Sequence, residues 1–110
     1  MKSTYYEKDR LLILTITEEI DDYCVQNIRR KADYEIERYI PKRVIFDFHR
    51  VTFMDSAGIG FVIGRYRLVD MLGGKLELAN LNDSVRKIFE MCGIFKLIQE
   101  TNSEDMKKIC

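Results

Sequence analysis

Residues 43–79 read RVIFDFHRVTFMDSAGIGFVIGRYRLVDMLGGKLELA. Arg43–Phe48 is a short, mostly apolar run rich in β-formers, the pattern of a strand buried on both faces. Ser56–Leu72 has the length of a helix and stops at Gly73-Gly74, a pair that supplies left-handed backbone beyond a helix C-terminus. Lys75–Ala79 alternates polar and apolar side chains and reads as a second strand. Strand, helix and strand in that order place a helix-covered sheet at the centre of the fold.

Outward from this unit the alternation continues. Tyr5–Glu7 and Leu11–Thr17, joined across Lys8-Asp9-Arg10, read as two strands and a short turn. Between Asp22 and Arg38 the apolar residues Val25, Ile28, Ala32 and Ile36, with Tyr39 beyond, recur at spacings of three and four, which makes an amphipathic helix. Pro41 stops it by about Tyr39, because the residue before a proline avoids helical geometry. Asp83 or Ser84 caps a third helix that runs through Phe89 to Met91 and ends at Gly93. Phe95–Ile98 is a last short strand. Thr101 with Glu104 has the form of a capping box, which predicts a final helix from Asn102 to Lys108. The order ββαβαβαβα predicts one α/β domain over residues 1–110. Its mixed sheet has about five strands with an N-terminal antiparallel hairpin, covered by about four helices.

Composition narrows the function. Eighteen basic residues balance eighteen acidic ones, which argues against non-specific nucleic-acid binding and against a charge-driven membrane anchor. No stretch approaches the roughly 18–20 apolar residues of a membrane span, and the first twenty residues lack the apolar core of a signal peptide. Cys24, Cys92 and Cys110 have no paired spacing, so reduced thiols and a cytoplasmic location are expected. His49 is the one histidine, and no metal site is expected around it.

The loop Phe53-Met54-Asp55-Ser56-Ala57-Gly58-Ile59-Gly60 is where chemistry concentrates, because loops after the parallel strands of such sheets carry their sites. A serine at the start of a helix displays its hydroxyl near unsatisfied N–H groups, and a phosphate added there is held by the same groups. The plainer reading is that Asp55 or Ser56 is only an N-cap. The two are compatible, since one residue can cap while the other is modified. Gly58, Gly60 and Gly64 approximate a dinucleotide fingerprint, but they begin ten residues beyond Phe48, and the tight strand-to-helix turn is missing. Met54 stands where a nucleophile elbow needs glycine, which argues against a serine hydrolase. On the helix, Ile59, Val62, Tyr66 and Val69 share one face. Phe61, Leu68 and Leu72 lie roughly opposite, flanked by Ala57 and Gly64. That second stripe either packs under a neighbouring helix or forms a partner surface beside Ser56. Gly60 and Gly64 leave it nearly bare of side chains, open to close approach by another backbone.

The set Asp55-Ser56-x-Gly58-x-Gly60, Gly64-Arg65-Tyr66, Gly73-Gly74 and Val85–Phe95 with Phe89, Met91 and Gly93 resembles the STAS domain of the anti-sigma factor antagonist family, nearest its sporulation branch. The likeness extends into Thr17-Glu18-Glu19-Ile20-Asp21 and so covers nearly the whole chain. It implies a switch protein without catalysis of its own, which binds an anti-sigma factor that is also an ATP-dependent serine kinase and so frees a sigma factor. The kinase would phosphorylate Ser56 and a serine phosphatase would reverse it, with ATP and magnesium held by the kinase and no cofactor on this chain. The partner surface implied comprises Asp21, Asp55, Ser56, Ala57, Gly58, Gly60, Phe61 and Gly64. Two departures stand out: Ala57 occupies a place where relatives often carry a second serine, and Glu18 one where glycine is common. The alternative is a small nucleotide- or ligand-binding module of the same type with no role in sigma-factor control.

Overall fold

The computed structural model describes residues 1–102. The elements are β1 Lys2–Tyr6, β2 Leu11–Thr15, α1 Val25–Tyr39, β3 Arg43–Asp47, α2 Ala57–Met71, β4 Lys75–Ala79, α3 Asp83–Met91, a 3₁₀ turn at Ile94–Lys96, and β5 Gln99–Thr101. They form a single α/β domain around one five-stranded mixed sheet in the order β1-β2-β3-β4-β5. The hairpin β1–β2 is antiparallel and every other pair is parallel.

The central strands are apolar on both faces, so their sequence runs are continuous rather than alternating. Leu12 and Leu14 of β2, Val44 and Phe46 of β3 and Leu76 and Leu78 of β4 join the main core. Ile28, Ala32 and Ile36 of α1, Phe61, Val62 and Val69 of α2, and Val85 and Phe89 of α3 pack into the same core. Phe46 meets Phe61 edge-on at 5.4 Å between ring centroids, and Phe48 meets Phe89 at 5.8 Å. On the opposite face, Leu11, Ile13, Ile45 and Ala79 form a second buried cluster, with Tyr6 against it.

Several expectations change, beginning with the first strand, which is Lys2–Tyr6 rather than Tyr5–Glu7. Helix α1 starts at Val25 rather than Asp22, because the Asp21 carboxylate accepts the N–H groups of Tyr23 and Cys24 and holds residues 22–24 in a turn. The cap of α3 is Asn82, one residue before the expected Asp83 or Ser84; its Oδ1 accepts the Val85 N–H at 2.8 Å. The last strand is Gln99–Thr101, not Phe95–Ile98. Gly93 adopts φ 76° and opens a 3₁₀ turn, which spaces the buried Ile94 and Ile98 four residues apart. An edge strand paired on one side needs little apolar character, so this one is short and polar and escapes a pattern search. Thr101 is a strand residue here, and its hydroxyl donates to Glu77 at 2.6 Å. The rest of the expected final helix, residues 103–108, lies outside the described residues.

Glu77 is a buried carboxylate on a central strand, ion-paired with Arg43 of the neighbouring β3. Burial alone would raise its pKa. Hydrogen bonds from Arg43 and Thr101, with the charges of Arg43 and Lys75, outweigh that and hold it below the ordinary value. A depressed native pKa stabilises the fold above the unfolded value of about 4.3. That contribution is lost as pH falls through the lower native value. Urea midpoints measured between pH 7 and pH 3 should therefore drop on the acid side, and Glu77→Gln should flatten that part of the curve.

Candidate functional site

The candidate site sits where the parallel strands β2, β3 and β4 end, in the segment from His49 to Ser56. Two residues of this segment go inward, Val51 at 3% and Met54 at 1% exposure. Met54 is the one that ties the segment down. It forms a parallel bridge with Ile20, and the Asp55 N–H donates to the Ile20 carbonyl at 3.4 Å. The segment after β2 is thereby sewn to the segment after β3, which brings Asp21 to the same end of the sheet as Asp55 and Ser56.

Above Met54 runs the first turn of α2. A Cβ on Gly58 would overlap the Met54 sulfur and Cγ, so any larger residue there forces the buried methionine side chain to shift. Gly58 is buried and serves this crossing; it is not open to a partner. Phe61 is likewise largely buried, 3% exposed against Phe46, and forms the floor of the groove between α1 and α2. The face of α2 that goes inward is Gly58, Phe61, Val62, Arg65 and Val69, with Tyr66, Leu68 and Leu72 partly buried beside it, so buried residues come from both of the apolar stripes read from the sequence. The inward face also carries Arg65, which the apolar pattern left unplaced. Its guanidinium is buried and pairs with Asp33 of α1 at 2.6 Å, with burial pulling its pKa down and Asp33 opposing. A periodicity search that counts only apolar residues assigns such an arginine to solvent.

Ser56 is exposed and occupies the N-cap position of α2, but with helical backbone (φ −63°, ψ −17°) and no capping bond from its hydroxyl. Asp55 does that work instead: its Oδ1 accepts the Ala57 N–H at 2.8 Å, and its carbonyl accepts the Gly58 N–H. The hydroxyl is therefore displayed at the positive end of a fifteen-residue helix without being engaged in holding it. Asp21 is half-buried and spends one carboxylate oxygen on its own turn. His49, the one candidate base, bonds through Nδ1 to the buried Asp47 at 2.8 Å and makes no hydrogen bond with Ser56 among the described residues. Nor do the described residues contain a group of three or more potential metal ligands.

Two concavities flank the serine. Gly60 and Gly64 have open space where a Cβ would be, and with Ala57 they border a groove of about 320 Å³ between α1 and α2. On the other side, Ser56, Ile59, Ile88, Met91 and Cys92 line an apolar depression of about 340 Å³ between α2 and α3. The sequence reading missed this second wall. Its signal is that Met91 ends α3 at 82% exposure, and that Tyr23 and Phe53, on the two sewn segments, are 94% and 61% exposed. Met91 shares its depression with Ser56, and a large apolar side chain left outside beside a polar hydroxyl is the usual mark of an interaction surface.

Residues 2–107 match the family model described as the STAS domain. Among curated proteins, the chain is 29% identical over 94 residues to the anti-sigma F factor antagonist of Paenibacillus polymyxa, covering 86% of this chain and 80% of that one. It is 31% identical over 85 residues to the anti-sigma-B factor antagonist of Bacillus subtilis, covering 77% and 76%. Among solved structures it is similar to the anti-sigma factor antagonist SpoIIAA in its unphosphorylated form, with TM-score 0.74 and 29% identity over 92% of this chain and 89% of that one. The phosphorylated form of the Bacillus protein SpoIIAA gives TM-score 0.67 and 28% identity over 93% of both.

The positioning roles are separable by mutation. Gly58→Ala should destabilise the fold by about 1–3 kcal/mol in urea titration, the usual range for an overpacked core. Asp55→Ala should cost about 1 kcal/mol, as loss of a helix-start acceptor does. Asp55→Asn, which keeps an oxygen toward the Ala57 N–H, should cost less than half of that.

Proposed function

The chain belongs to the STAS domain family, and we propose that it is an anti-sigma factor antagonist switched by phosphorylation of Ser56. The unphosphorylated protein docks on an anti-sigma factor that is also a serine kinase, so that a sporulation sigma factor is released. The kinase transfers phosphate to Ser56 and ends the interaction, and a serine phosphatase restores it. Its ATP and magnesium are held by the kinase, and this chain carries no cofactor and catalyses no step itself. The observation that carries this reading is the exposed, uncommitted Ser56 hydroxyl on the rim of an apolar depression.

The physics of the switch follows from that position. A phosphoserine adds about −1.5 to −2 charges beside Asp55, on the lip of a surface that a partner must dry to bind. A penalty near 3 kcal/mol lowers affinity on the order of a hundredfold, which suffices for a switch. Refolding is unnecessary, because the helix end favours the anion. Both the phosphorylated and the unphosphorylated SpoIIAA share the fold of this chain, which supports a local change. Ala57 and the bare positions Gly60 and Gly64 give the partner a second approach along the α1–α2 groove. Asp21 and Asp55 act on docking by shaping the two segments, and Gly58 and Phe61 by packing beneath them.

In calorimetry against the anti-sigma factor, Ser56→Ala should bind and stay bound in the presence of ATP. Ser56→Asp or Ser56→Glu should bind at least tenfold more weakly. Mass spectrometry after incubation with that partner and ATP should find one added phosphate, at Ser56. Equal affinities for all three variants would end the reading.

A further inference from the structure

Two contacts hold the Ser56 segment from opposite sides. On the β2 side it is held by Ile20, as described above. On the β4 side it is held by the turn Asn80-Leu81-Asn82, whose two asparagines both reach across. Asn80 adopts the left-handed conformation at φ 58° and donates through Nδ2 to Asp47 at 2.9 Å, at the exit of β3. Asn82 goes further into the loop: its Nδ2 donates to the carbonyls of Val51 at 3.0 Å and Thr52 at 3.2 Å. Its other side-chain atom, Oδ1, caps α3 through the Val85 N–H. The two ends of one amide therefore have opposite chemistry to perform. Only the orientation with nitrogen toward the carbonyls and oxygen toward the helix satisfies all three partners.

The two elements so joined are the two walls of the apolar depression. Ser56 and Ile59 come from the loop end and first turn of α2, and Ile88, Met91 and Cys92 from α3 and its end. We propose that Asn82 is a positioning residue that fixes the Ser56 segment against α3, and so sets the shape of the surface on which the partner docks. Capping needs only an acceptor, which aspartate and serine supply as well as asparagine. Pinning the loop needs N–H donors at the end of a side chain of this length, which neither of them has. Asparagine is the residue that does both.

This division of labour makes the inference testable, and its functional half rests on the reading of Ser56 as the modified group. In Asn82→Asp and Asn82→Ser, amide hydrogen exchange at Val85 and Arg86 should stay at the wild-type level or slow, since a carboxylate also suits a helix N-terminus. The amides of Val51 and Asp55 should exchange roughly tenfold faster, as expected for the loss of hydrogen bonds that tie down a loop. Asn82→Ala should speed exchange at both places. In phosphorylation of Ser56 by the anti-sigma kinase, the aspartate and serine variants should raise KM several-fold with kcat unchanged, because a smaller fraction of molecules presents the docking surface ready-made. A cap alone moves neither the loop amides nor KM. Unchanged exchange at Val51 and Asp55 in both variants would overturn the proposal. If those amides quicken while the wild-type chain itself takes up no phosphate, the positioning role stands and the phosphorylation reading fails.

Discussion

The crossing of α2 over Met54 is the constraint on which the rest of the site depends. Met54 is buried, bridged to Ile20 and overlain by a helix turn where a Cβ at Gly58 would collide with the methionine side chain. With the methionine fixed inward, the next residues of the chain must turn outward. Asp55 then closes the turn onto Ala57 and Ser56 is left at the surface. An exposed hydroxyl on an irregular loop would wander. Here it is held by backbone contacts beneath it, by Ile20 on one side and by Asn82 on the other, so that its chemistry occurs at a defined place.

A division between support and display runs through the whole site. Gly58, Phe61, Asp21, Asp55 and Asn82 are occupied with the protein's own backbone or core. Ser56, Gly60, Gly64, Tyr23, Phe53 and Met91 face outward. The relatives named above are anti-sigma factor antagonists, and among the described residues the Ser56 hydroxyl borders a depression otherwise lined by Ile59, Ile88, Met91 and Cys92. Charge added at Ser56 would fall beside Asp55, on a chain whose eighteen basic and eighteen acidic residues balance.

Much of this was legible in the chain. The continuous apolar runs at Leu11–Leu14 and Val44–Phe46, the three-and-four spacing of Ile28, Ala32 and Ile36, and the glycine pair after Leu72 each specify a local structure. They do so because burial on two faces, burial on one stripe and a left-handed stop leave different marks. The serine was legible too, since a small polar run between strand and helix has few explanations. The face of α2 was not. Its apolar residues surround the helix, so the helix alone has no inside, and its buried side includes Arg65 because Asp33 on another helix neutralises it.

From the residues alone came the order of elements, the mixed sheet, the family likeness and the placing of Ser56 at a helix start, all fixed by interactions between neighbours in sequence. Tertiary structure decided which glycine is filled and which is open, turned Phe61 inward, moved the last strand to Gln99–Thr101 and made Asn82 a joint. Those outcomes depend on what stands opposite each residue: Met54 beneath Gly58, Phe46 against Phe61, Glu77 reaching Thr101, and the Val51 and Thr52 carbonyls facing Asn82. Except for Met54 and Gly58, four residues apart, the members of these pairs are separated by fifteen or more residues, so no short local window holds both.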